Sequence, residues 1–169
     1  MRISFIATAA ASALALTACG SETSGEFATE DGETGEYAID NDSGEMSMTV
    51  ETEDGTVSMR TNTETPDQLP AGFTLMSGSE VLSNTIIDQG ETKGSLTTFR
   101  TDNSPDDIVA HYRGEAESAG ITIQIETSMN GGKMIGGENE ENGTTFSVTA
   151  FPDDDGVVTG QLTISEEPG

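Results

Sequence analysis

A two-residue alternation of apolar and polar side chains constrains this chain most. It recurs from Tyr37 almost to the carboxyl end and is interrupted by one helical window. Ile121, Ile123 and Ile125 alternate with Thr122, Gln124 and Glu126. Phe146, Val148 and Ala150 repeat the pattern, as do Val158, Leu162 and Ile164 around Gly160. Side chains on a strand point to opposite faces with period two, so each run reads as a half-buried strand. Val81–Asp88 and Gly94–Thr101 read as two more strands, joined through Gln89-Gly90-Glu91-Thr92, and Lys133–Gly137 as a short one.

Residues 37–62 carry the same signal with two turn markers. An Asp54-Gly55 hairpin turn sets Val50 opposite Met59, Met48 opposite Thr61 and Thr52 opposite Val57. A four-residue loop at Asn41-Asp42-Ser43-Gly44 sets Ile39 opposite Met46 and Tyr37 opposite Met48. Both registers place Tyr37, Ile39, Met46, Met48, Val50, Val57 and Met59 on one face, and Ser47, Thr49, Glu51, Ser58 and Arg60 on the other. The segment is expected to be a three-stranded meander that packs on the main domain or on a partner, because such a unit is not stable with a naked apolar face.

The interruption is a helix over about 104–119. Ser104 suits the N-cap, Pro105 the first helical position, and Asp106 and Asp107 the positive end of the dipole. Ile108, Val109, Tyr112, Ala116 and Ala119 recur at helical spacing, and Gly120 stops the helix. With no Trp and few other aromatics, the core falls to Ile, Val, Leu, Met and Phe. The expected fold class is α+β: a two-layer, mainly antiparallel sheet with one packed helix over residues 70–166, preceded by the meander.

The amino terminus follows different rules. Arg2 is followed by an apolar run from Ile3 to Leu16, too short for the roughly 20 residues that span a bilayer core. A charged start, a short apolar middle and small residues at the end form a secretory signal, residues 1–18. Leu16-Thr17-Ala18-Cys19 resembles the lipobox of bacterial lipoproteins. The resemblance implies cleavage between Ala18 and Cys19, lipid attachment at Cys19, and a membrane held through acyl chains worth about 0.8 kcal/mol per CH₂. Gly20 stands where Asp would resemble an inner-membrane retention signal, which favours the outer membrane facing the periplasm. Cys19 is the only cysteine, so no intramolecular disulfide can form.

Residues 19–36 read as an acidic flexible tether. Glu22, Glu26, Glu30, Asp31, Glu33 and Glu36 are interleaved with Ser, Thr and Gly, and such a segment spans roughly 23 Å as a coil. The whole chain carries 6 basic and 31 acidic side chains, a net charge of −25. Removing residues 1–18 takes away Arg2 and leaves a charge one unit more negative. Nucleic-acid binding, which needs Lys and Arg to neutralise phosphates, is excluded as a working function.

Candidates for chemistry are few. Met46, Met48 and Met59 offer thioethers, soft ligands for Cu(I), although an alternating core face needs the same pattern. Asp40-Asn41-Asp42-Ser43-Gly44, with Glu51 eleven residues after Asp40, departs from the calcium-loop frame because the glycine comes at position five. Asp153-Asp154-Asp155-Gly156 lacks alternating ligand spacing. Both read as solvated hairpin loops. His111, the only histidine, lies four residues after Asp107, so the two share a helix face; no Ser in a nucleophile elbow completes a triad.

The layout of a strand, Thr101-Asp102-Asn103-Ser104-Pro105-Asp106-Asp107, a helix holding His111-Tyr112-Arg113, then Ala119-Gly120 and a strand is similar to domains of uncharacterised bacterial envelope lipoproteins. That resemblance covers residues 70–165 and implies architecture without a catalytic motif. The expectation is a non-enzymatic, membrane-anchored lipoprotein that binds a protein or glycan partner in the envelope, with no cofactor. The alternative is a lipoprotein that binds Ca²⁺ or Cu(I), and a third reading is an enzyme using Asp107 and His111.

Overall fold

The computed structural model describes residues 21–29, 32–52, 55–66, 69–90 and 92–166. Four strands come first: β1 (Glu22–Ala28), β2 (Thr34–Asp40), β3 (Met46–Thr52) and β4 (Gly55–Asn62). A 3-10 turn at Pro70–Gly72 leads into β5 (Ser79–Gln89) and β6 (Thr92–Thr101). The helix α1 (Pro105–Ser118) follows, then β7 (Thr122–Met129), β8 (Gly132–Asn139), β9 (Thr144–Pro152) and β10 (Val158–Glu166). All ten strands form one antiparallel sheet in the order β1-β2-β3-β4-β5-β6-β10-β9-β8-β7. The helix carries the chain from β6 to the far edge at β7, and the β7-β8-β9-β10 meander returns to pair β10 with β6.

The helix forms where its end signals place it. The Ser104 hydroxyl accepts from the Asp107 amide. At the other end Gly120 takes φ +73°, its amide donates to the Glu117 carbonyl, and the Ile121 amide donates to Ala116. This Schellman closure satisfies carbonyls that would otherwise be orphaned. Ile108, Val109, Tyr112 and Ala116 are buried against the sheet, together with Phe99, Ile135, Phe146, Val148, Leu162 and Ile164. Arg113 pairs with Glu126 of β7 and Lys133 of β8 with Asp106, ties at the partly exposed rim of the layer.

Among the described residues every buried hydrophobic side chain lies at or beyond Leu69. The two-layer architecture therefore belongs to residues 69–166. Strands β2, β3 and β4 are the expected meander, but they continue the main sheet edge to edge through β4–β5 pairing and do not pack upon it.

Local readings differ from the structure at three points. Glu22–Ala28, within the segment read as a flexible tether, is an edge strand. Its backbone pairs with β2 along its whole length, Phe27 lies over Gly35, and Tyr37 lies over Gly25. Backbone pairing and these aromatic covers outweigh an acidic composition. The loop between β2 and β3 keeps its expected register, Ile39 opposite Met46 and Tyr37 opposite Met48. The next hairpin is shifted by two residues: Val50 faces Val57, Met48 faces Met59 and Thr52 faces Gly55. A shift of two leaves every side chain on its own face, so the face assignment survives the error. Finally, a bulge in β7 between Ile123 and Ile125 breaks the alternation. Ile123 pairs with Gly137 and Ile125 with Gly136, which sends Ile125 to the opposite side, where it is 51% exposed. A Cβ on Gly137 would meet the Thr122 carbonyl oxygen, so the bulge needs a glycine opposite it.

Aromatic rings cover glycines elsewhere too: Phe99 lies over Gly160 and Phe151 over Gly132. A Cβ on Gly160 would clash with the Phe99 ring, which is fully buried and has no room to move. Gly160→Ala is expected to lower stability by about 1–3 kcal/mol. Gly114→Ala, in mid-helix with no atom within 4 Å of the new methyl, should raise it by about 0.5–1 kcal/mol. Urea unfolding midpoints of the two variants should move in opposite directions.

Candidate functional site

The connection from Leu69 to Met76 lies along α1, and the two enclose an open groove of about 470 Å³. Its walls are Ala71 and Gly72 on one side and His111, Gly114, Glu115, Ser118 and Ala119 on the other. Glu115 is the hinge pin of this arrangement. Its carboxylate accepts from both the amide and the hydroxyl of Thr74 and lies 3.7 Å from His111 Nε2, one helical turn back. Among the described residues, His111 Nε2 is shielded from solvent and has no hydrogen-bond partner. The His111 ring meets the Tyr112 ring edge-on at 4.8 Å.

The expected Asp107–His111 pair does not form. Asp107 is held at the helix start, where its carboxylate accepts from the Ser104 hydroxyl, and the carboxylate beside His111, 3.7 Å from its Nε2, is that of Glu115. Glu115 was accessible to the same i,i+4 arithmetic in the C-terminal direction; Thr74, forty-one residues away in sequence, was not. Ser118 shares the groove, but two turns of helix, about 10 Å at 1.5 Å per residue, separate it from His111. Its hydroxyl donates to the Gly114 carbonyl. The geometry gives a histidine–carboxylate pair without an adjacent nucleophile.

Tyr112 anchors the floor. It is fully buried, its ring centroid lies 6.2 Å from that of Phe99, and its hydroxyl accepts from the Met76 amide. Burial pushes its phenol up to about 12, with the nearby Glu115 charge acting in the same direction and the Met76 bond against it.

The other candidates are dispersed. Met48 and Met59 face each other across β3 and β4, and Met46 lies one pair along, opposite Thr61. They stand on the side of the sheet away from α1, not in the core. Asp40 to Gly44 is a hairpin loop: Asp40 Oδ1 accepts from the Asp42 and Ser43 amides, and those two bonds hold its carboxyl below the usual carboxylate range. Asp153 to Gly156 is likewise a hairpin loop, closed by the Asp153 amide on the Val157 carbonyl. Among the described residues no three His, Cys, Asp or Glu side chains converge to hold a metal ion. No helix among them is long and apolar enough to cross a membrane. Ala18 and Cys19, read as cleavage and lipid-attachment positions, lie outside the described residues.

Comparison with known proteins adds one finding. Residues 80–156 match a family model described as START domain-like. The matched segment runs from β5 through β9, holds α1 with His111, Tyr112 and Glu115, and excludes β1–β4 and β10. No curated protein and no solved structure matches the chain.

The buried phenol makes an alkaline prediction. Folded Tyr112 stays protonated to about pH 12, while the unfolded side chain ionises near 10. Its contribution is fully present below pH 10 and is lost as pH rises through 12, by about 2–3 kcal/mol in total. Tyr112→Phe should lose about 1 kcal/mol at pH 8 through the missing hydroxyl, yet close the gap to the parent between pH 10 and 12. Urea midpoints at pH 8, 10 and 11.5 measure both effects.

Proposed function

We propose that this chain is a membrane-anchored envelope lipoprotein with a non-enzymatic binding or accessory role, lipid-attached at Cys19 and facing the periplasm from the outer membrane. The observation that carries this reading is Leu16-Thr17-Ala18-Cys19 at the end of a short apolar run, with no second cysteine to compete for the thiol. The binding role draws support from the open groove along α1 and from the START-like match, which favours a binding-type domain. The partner is a protein or glycan; the charge of −25 argues against nucleic acid.

Expression in a bacterial host fed labelled palmitate tests the anchor. The parent should take up label and enter the detergent phase, whereas Cys19→Ser should remain unlabelled and uncleaved. An unlabelled parent that keeps Met1 and stays in the water phase overturns the proposal. His111→Ala should leave envelope complementation unchanged; a variant that folds but no longer complements would favour the enzymatic reading.

A second reading, binding of Cu(I), rests on the Met48–Met59 cross-strand pair with Met46 beside it. Titration of the mature chain with Cu(I) should then show a saturable site lost in Met48→Leu, and its absence in the parent removes the reading.

A further inference from the structure

The sheet has two sides, and the strand registers assign every paired residue to one of them. The side that carries α1 also collects the charges of the outer strands. Glu26 stands opposite Glu36 and Glu22 opposite Asp40 on β1–β2; Glu51, Arg60 and Asp88 follow on β3 to β5. The other side is almost free of charge across all ten strands. The registers place only Glu80, Arg100 and Glu138 there; Glu80 and Arg100 oppose each other across β5–β6, and Glu138 lies on β8 near the far edge. In a chain with 31 acidic residues such an uncharged face is a strong departure from its other surfaces.

Over β2 to β6 this neutral side is also apolar. Tyr37, Met48, Met59 and Ile87 line up in register across four strands, with Met46 and Leu96 in the neighbouring row. Met46 is 40% and Leu96 38% exposed, and Tyr37, Met48, Met59 and Ile87 are partly buried. Towards β10 and β9 the face becomes hydroxyl-rich, with Thr98, Gln161 and Thr149 paired in one row. The core lies on the α1 side, so none of these methionines or aliphatic groups contributes to it.

We infer that this face binds a second copy of the chain, giving a symmetric dimer in which two neutral sheet faces pack on each other as a sandwich. Charge narrows the route of approach: two copies at −25 repel in every orientation, and least where the two neutral sides meet. Across a two-fold axis the strip meets the same apolar side chains on its partner. The five strands β2 to β6, about 4.8 Å apart and roughly 20 Å long, bring about 960 Å² together from two copies, short of the roughly 1,200–2,000 Å² of specific interfaces. Including β10 and β9 takes it inside that range. Sheets stacked face to face interdigitate their side chains at about 10 Å. The partner copy would also give β1–β4 the second layer that they lack in one copy.

Sedimentation equilibrium of the chain from Gly20 onward, which holds every strand and the helix among the described residues, tests this between 5 and 200 µM. The expected result is a reversible monomer–dimer equilibrium that tightens from 0.05 to 0.5 M NaCl as the acids are screened. Met48→Glu sets like charges against each other at the centre of the strip and should weaken dimerisation at least tenfold with an unchanged far-ultraviolet circular dichroism spectrum. Thr49→Glu, one residue on and on the opposite side, should leave it unchanged. If Met48→Glu does not fold, Leu96→Thr, a milder change on β6, should still weaken the dimer severalfold. A parent that stays monomeric at 200 µM overturns the inference, as does a dimer that neither variant weakens. Monomers that float with neutral phosphatidylcholine vesicles would assign the face to a lipid surface and overturn it equally.

Discussion

Tyr112 is where the three parts of the carboxyl-terminal unit meet. Its ring packs against Phe99 of the sheet, its backbone belongs to α1, and its hydroxyl holds the Met76 amide of the connection that lies along the helix. Phe99 reaches this position because Gly160 on the neighbouring strand leaves the volume of a methyl group vacant beneath the ring. Close packing without voids is what makes a small core stable. In a chain without Trp, and with only two Tyr, one such residue carries much of the specification. The Glu115–Thr74 bonds then fix the same connection one turn further along, and the groove follows from the two attachments together.

The fold was legible where short-range chemistry sets it. The Ser104 cap, Pro105 and Gly120 define α1 almost to the residue, because each satisfies a backbone requirement that few other residues meet. Apolar alternation located β9 and β10 and the faces of β2 to β4. Two kinds of event stayed hidden. A hairpin register depends on which residues occupy the turn, and moving it by two changes no face, so the β3–β4 error had no visible penalty in the pattern. Edge strand β1 has no hydrophobic run at all. Its placement comes from backbone bonds to β2 and from two aromatic–glycine pairs, and those become visible only when the strands are laid side by side.

The site was less legible than the fold. His111 stood out as the single histidine, but a helix offers it carboxylates in both directions, and Asp107 was already committed to the cap. What distinguished Glu115 was Thr74, a partner supplied by the folding of a distant segment. The methionines show the same limit from the other direction. Their alternation is that of a core face, and only the position of α1 on the far side of the sheet reveals that they are not in the core. Periodicity identifies a face; it does not say which side of a sheet the rest of the molecule will cover.

The start of β1 at Glu22 sets the scale of the proposed amino-terminal attachment. If Cys19 is lipid-attached as proposed, only Gly20 stands between it and Ser21, whose carbonyl accepts from the Asn41 amide, at most about 7 Å of extended chain. The sheet edge would then ride directly on the headgroups and would not hang from a long leash. An edge strand with Glu22 and Glu26 facing one way is repelled by anionic lipid on that side, so short reach and like charge together would restrict how far the slab can tip.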